Sequence, residues 1–133
     1  MMITINHVSK ITGFSAKMIR HYEKLGLLGK ITRTSTNYRI YKKSDIDILH
    51  FIKRTKNLGF ATEDIKILLN VWQNKKTNRL EVRHIALKHL DDLKVRIHDL
   101  QLMVNVLQEL ITQCEKNKHT DCPILASFIH SHS

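Results

Sequence analysis

Two cysteines near the C-terminal end, Cys114 and Cys122, are separated by seven residues and followed directly by Pro123. Their thiolate sulfurs are soft ligands and favour the monovalent coinage metals Cu(I), Ag(I) and Au(I) over hard cations. Two sulfurs around such a d10 ion leave a complex of net charge −1, which needs compensation if it is buried. Zn(II) is the competing occupant. It prefers four nitrogen or sulfur ligands, and His119, His130 and His132 could complete such a set. Reversible thiol oxidation is a third use of the same pair. The other histidines, His7, His21, His50, His84, His89 and His98, are scattered and show no ligand spacing.

The second chemistry is cationic. Residues 1–56 carry 12 Lys/Arg against Glu23, Asp45 and Asp47, whereas residues 57–133 carry 10 Lys/Arg against nine acids. Most of the formal net charge of +10 therefore sits in the N-terminal part. That asymmetry points to a polyanion partner for this part. Enzyme chemistry lacks its components: there is no phosphate loop, no Gly-rich dinucleotide turn, no Cys-x-x-Cys and no supported carboxylate pair. The opening MMITINHVSK has no leader pattern, and no apolar run is long enough to span a membrane. A cytosolic protein with reduced thiols is expected.

The elements that would position these groups are mostly helical, given 133 residues with only four glycines and one proline. Thr4 is expected to cap a short helix over 5–12, with Val8 and Ile11 inward, broken at Gly13. Ser15 is expected to cap a second, from Ala16 to Lys24, ended by Gly26. Two short helices joined by a tight turn make a helix-turn-helix pattern. Residues 30–43 read as a two-stranded wing turning at Ser35-Thr36-Asn37, with five cations and no acid. Ser44 is expected to cap a third helix and Thr62 a fourth, whose buried stripe is Ile65, Leu68, Leu69 and Trp72. Asn78 and Glu81 resemble a capping box opening a helix to about Cys114. Along it Ala86, Leu90, Leu93, Ile97, Leu100, Val104, Leu107 and Ile111 alternate spacings of four and three, a coiled-coil seam calling for a second copy. The organisation expected is 1–75 for DNA binding, 76–113 for dimerisation and 114–133 for a metal-binding loop and tail.

The stretch Val8–Leu27, the core IRHYEKLGLL at Ile19–Leu28, the wing residues Arg33 and NYRIY at Asn37–Tyr41, and LGF at Leu58–Phe60 together resemble the MerR family of transcriptional regulators. His21 stands where that family usually has Phe or Tyr. The resemblance implies a mainly α fold: a winged helix-turn-helix, a long antiparallel coiled-coil dimerisation helix and a C-terminal effector loop. It also implies a homodimer on double-stranded promoter DNA, distorting an operator with an overlong spacer so that RNA polymerase can engage it. Cys114-x7-Cys122-Pro123-Ile124 is similar to the metal loop of the copper-efflux regulator (CueR-like) branch, where two cysteines bind a monovalent metal in linear coordination.

For DNA, the resemblance implies contacts from Arg20, Tyr22, Arg33, Tyr38 and Arg39, mostly to phosphates, which set affinity and register rather than sequence choice; a place in the core is the alternative for Tyr22. Ser15 and Lys17 join them because a helix entering the major groove needs small or polar residues at its start and cations on its flank. For metal, it implies Cys114 and Cys122 as ligands. Where the copper branch usually has Ser, and divalent-metal relatives a third Cys, this chain has Arg79. In the family's antiparallel dimer the partner's helix start lies near the loop, so Arg79 and Arg83 are expected to compensate a bis-thiolate anion there. Two alternatives are a divalent-metal or thiol-redox regulator of the same type, and a basic coiled-coil adaptor without specific DNA binding.

Overall fold

The computed structural model describes residues 3–74, 78–116 and 122–129. The chain is mainly α, in the order α1 (Ile5–Thr12), α2 (Ala16–Lys24), β1 (Thr32–Arg33), β2 (Arg39–Ile40), α3 (Lys43–Asn57), α4 (Thr62–Gln73), α5 (Arg79–Lys116) and α6 (Pro123–Ile129). It divides into two compact units, residues 1–85 and 86–133.

In the first unit, local chemistry places each helix start. The Thr4 hydroxyl accepts from His7 N–H and the Ser15 hydroxyl from Met18 N–H, satisfying donors that the first turn leaves without partners. Gly13 and Gly26 follow α1 and α2 with φ of 79° and 77°, a backbone region glycine enters without steric cost. The third helix departs from expectation. Lys42, not Ser44, is its N-cap, and the carboxylate of Asp45 accepts from Lys42 N–H at 2.8 Å. An acid at the third helical position reaches back to the cap more directly than a serine inside the helix can. Ala61, not Thr62, caps α4, with no side-chain bond; Thr62 is the first helical residue.

β1 and β2 pair antiparallel, Thr32 with Ile40 and Arg33 with Arg39. Their turn closes through Asn37 N–H to Thr34 O at 2.9 Å, with Asn37 itself at φ 68°. Asn tolerates that conformation better than most residues. The wing is anchored below by a bridge between Ile3 and Tyr41.

Val8, Ile19, Tyr22, Leu27, Leu28, Tyr41, Ile48, Leu49, Ile52, Ile65 and Leu69 form one buried cluster. Three expected members, Ile11, Leu68 and Trp72, fall outside it, and Leu68 is half-buried. Ile11 is 45% exposed, and its place is taken by Thr12, buried, whose hydroxyl bonds Val8 O at 2.8 Å. Position i+4 from Val8 lies under the core more squarely than i+3. Trp72 is 48% exposed and stacks on Phe51, with ring centroids 5.0 Å apart.

Asn78 caps α5: its side chain accepts from Glu81 N–H at 3.1 Å and donates to the Glu81 carboxylate at 3.2 Å. At 38 residues the helix is about 57 Å long. In its first turns Ile85 is buried. In the second unit the seam lies open: Leu90, Ile97, Leu100, Val104, Leu107 and Ile111 are all exposed. Among the described residues no helix is long and apolar enough to cross a membrane.

Candidate nucleic-acid interface and metal centre

The amphipathic geometry of α2 builds one face of the first site. Ile19 and Tyr22 turn into the core, so Lys17, Arg20, His21 and Lys24, three or four apart, share the opposite side. Together with Glu23 and the wing's Arg39 they line a groove of about 440 Å³. Ser15, Lys17, Arg20 and Arg33 are exposed, and Arg33 donates to the Asn37 side chain at 3.2 Å. Tyr38 is 72% exposed near the wing turn. The structure thus brings Lys17, Arg20 and Arg39 to one groove and sets Arg33 and Tyr38 on the wing. Such a surface can place several cations against a polyphosphate backbone.

Tyr22 lies elsewhere. Grouped with the DNA contacts by resemblance, it is 2% exposed and belongs to the core. Its ring meets Phe14 edge-on at 5.3 Å, and the Lys56 ammonium sits 5.6 Å from its centroid. Its hydroxyl is buried without a hydrogen-bond partner among the described residues. The spacing Ile19–Tyr22 carries the reason: both project from the apolar side of α2, opposite Arg20.

Glu23 was not among the expected site residues. Its carboxylate accepts from Arg39 Nε at 3.0 and 3.4 Å and from the Tyr41 hydroxyl at 3.5 Å. Burial, followed by the neighbouring Glu23 charge, pushes the Tyr41 hydroxyl from its ordinary 10.0 up to about 12. One sequence signal existed: Glu23 is the only acid in the first 44 residues.

The second site lies in the second unit. Cys114, in the last turn of α5, and Cys122, just before α6, bring their sulfurs to 3.9 Å. Both thiols are free and half-buried. Backbone N–H groups of Leu125 and Ile124 point to the Cys122 sulfur and hold its thiol below the usual range, while the hydrogen bond to Cys122 raises Cys114. Of the two, Cys122 is therefore the thiol that gives up its proton more readily.

Two sulfurs at the typical metal–thiolate length of about 2.3 Å stand about 4.6 Å apart in a linear complex, so the observed gap would open by about 0.7 Å. The same length in a tetrahedral site gives about 3.8 Å. The donor set and its convergence fit a thiophilic metal. Among the described residues no third His, Cys, Asp or Glu joins the pair; His119, His130 and His132 lie outside those residues. Arg79 and Arg83 are exposed on the first turns of α5, in the first unit.

Two family models match the chain: "MerR HTH family regulatory protein" over residues 3–71 and "MerR, DNA binding" over residues 46–110. The HTH-type transcriptional regulator HmrR of Sinorhizobium medicae is 38% identical over 123 residues, covering 92% of this chain and 84% of its own. The HTH-type transcriptional regulator CueR of Escherichia coli is 30% identical, covering 92% and 91%. Among solved structures, the transcription regulator PbrR691 of Ralstonia metallidurans, crystallised with lead(II), superposes with a TM-score of 0.81 at 26% identity, covering 96% and 99%.

Proposed function

The chain belongs to the MerR family of helix-turn-helix regulators, and from that premise we propose that it is a metal-responsive transcriptional regulator sensing Cu(I), Ag(I) or Au(I) through Cys114 and Cys122. The observation that carries this reading is the convergence of two free sulfurs at 3.9 Å, with Cys122 favoured as thiolate. Deprotonated sulfur is the metal-binding form, and a soft two-sulfur set suits a monovalent d10 ion.

The rest of the reading follows from the same elements. The protein acts in the cytoplasm as a homodimer, its open α5 seam closed by a second copy. Each protomer presents Ser15, Lys17, Arg20 and Arg39 of the helix-turn-helix and wing, with Arg33 and Tyr38, to double-stranded promoter DNA. Metal capture at the loop favours one of two dimer states. In that state contacts offset the cost of bending and untwisting the operator, which lets RNA polymerase engage. Arg79 and Arg83 of the partner subunit's copy of α5 compensate the −1 charge of the bis-thiolate complex and disfavour a divalent ion.

An anaerobic Cu(I) titration against a competing chelator, run beside Zn(II), tests the metal. Tight Cu(I) binding near one per subunit, abolished in the Cys114→Ser/Cys122→Ser double variant, is expected. Preferential Zn(II) binding would replace this reading with a divalent sensor, to which the near-tetrahedral sulfur spacing lends some support. Equal affinity for selected and random duplexes at 150 mM salt would instead indicate a basic adaptor.

A further inference from the structure

The groove between α2 and the wing gathers Lys17, Arg20, Lys24 and Arg39, yet it also contains a carboxylate, Glu23. Charge counting makes that carboxylate adverse: on a surface facing phosphates, one anion offsets one cation. Its surroundings give it another role. Both Glu23 oxygens face the Nε edge of Arg39, and one also accepts from Tyr41. These partners lie 16 and 18 residues away, on β2 and its continuation. Tyr41 is itself fixed: it is buried, and its N–H donates to Ile3 O at 2.9 Å. The Glu23 and Arg39 side chains are only 20% and 30% exposed, so the pair is less screened than a surface ion pair. The bond is made by Nε, so neither Nη group of Arg39 is used in it.

We propose that Glu23 is a positioning residue for DNA recognition: it touches no DNA but holds the wing's Arg39 at a set distance from the cations of α2. The inference rests on the reading of this groove as the DNA face. A preset spacing of cations matters for a specific site, where register is fixed by phosphate contacts. It matters little for random duplex, where any cation near any phosphate contributes.

The test compares a duplex selected from random-sequence DNA by the wild-type protein with an unselected duplex, across a range of salt. Glu23→Gln keeps the side-chain volume and adds a unit of positive charge. Affinity for the selected duplex is expected to fall about tenfold, while affinity for the unselected duplex stays level or rises. In an Arg39→Gln background the same substitution should cause no further loss, as a coupled pair requires. Arg39→Lys retains the charge without the Nε edge. It should lose affinity for the selected duplex with its salt slope unchanged, a readout that survives if Glu23→Gln folds poorly. Tighter binding of both duplexes by Glu23→Gln, or wild-type binding by Arg39→Lys, would overturn the proposal. Failure of the wild type to enrich any duplex would instead remove the DNA-face reading beneath it.

Discussion

The ammonium of Lys53 on α3 donates to the carbonyl of Thr12, the last residue of α1, at 2.8 Å across 41 residues of chain. It also sits 5.5 Å from the Phe14 ring centroid. A helix C-terminus carries unpaired carbonyls and partial negative charge, so a cation there is favourable. Between the two residues lies Gly13, whose N–H closes α1 on Ser9 O at 2.9 Å. A Cβ at Gly13 would collide with the Lys53 ammonium, and the φ of 79° would strain any L side chain.

Gly13→Ala is therefore expected to destabilise the first unit by about 1–2 kcal/mol, measured by urea unfolding. Lys53→Met should cost about 1 kcal/mol. In that background Gly13→Ala should lose its steric part and cost less. A neutral Gly13→Ala would show that the turn relaxes freely and that the Lys53 contact does not fix it.

The two thiols should differ in reactivity. Cys122 is held below the ordinary thiol range by the Leu125 and Ile124 N–H groups, and Cys114 is raised by its hydrogen bond to Cys122. Since the thiolate is the nucleophile, iodoacetamide at pH 7.5 should modify Cys122 first, with the two rates converging as pH rises above the ordinary value of about 8.5. Peptide mass spectrometry reads the order. Faster labelling of Cys114 would contradict Cys122 as the thiol that gives up its proton more readily.

The seam on α5 makes a separate prediction. Ile97 is 66% exposed and Leu100 58%, an arrangement that one chain alone leaves in water. Leu100→Lys should shift sedimentation from dimer towards monomer. Leu102, about 200° further round the helix, is the control: Leu102→Lys should leave the assembly intact. If both variants behave alike, the seam is not the surface that pairs.

Alkaline stability should report Tyr41. Its hydroxyl is held neutral to about 12 in the folded chain, against an ordinary 10.0. A raised acid pKa means the folded state holds the proton more firmly than the unfolded state does. The corresponding stability is complete below about pH 10 and is lost as pH climbs to about 12. Tyr41→Phe should flatten the decline in that window relative to wild type, followed by chemical denaturation at fixed pH steps. Parallel curves for the two proteins would exclude Tyr41 as the source.

Features set by short-range chemistry were legible in the residues alone. Thr4, Ser15 and Asn78 start helices because their side chains can satisfy first-turn donors. Gly13 and Gly26 follow helix ends because they enter φ > 0 freely. The α5 seam was legible because its spacing repeats with the helix itself. The cationic character of the groove and the cysteine pair were legible as residue types. Which neighbour meets each face came from the packing of distant elements. Periodicity gives a stripe, and it puts Tyr22 with Ile19 on one side of α2 away from Arg20, but it does not tell whether Thr12 or Ile11 lies beneath α3. Trp72 looked like core on its own helix and is instead an exposed stack on Phe51, because α4 meets α3 at that edge. Glu23 sits 16 residues from Arg39, and no local rule joins a helix to a wing over that distance. The 3.9 Å between sulfurs is likewise a property of how α6 sits against the end of α5. Such pairings depend on long-range packing, which residue spacing along one element does not encode.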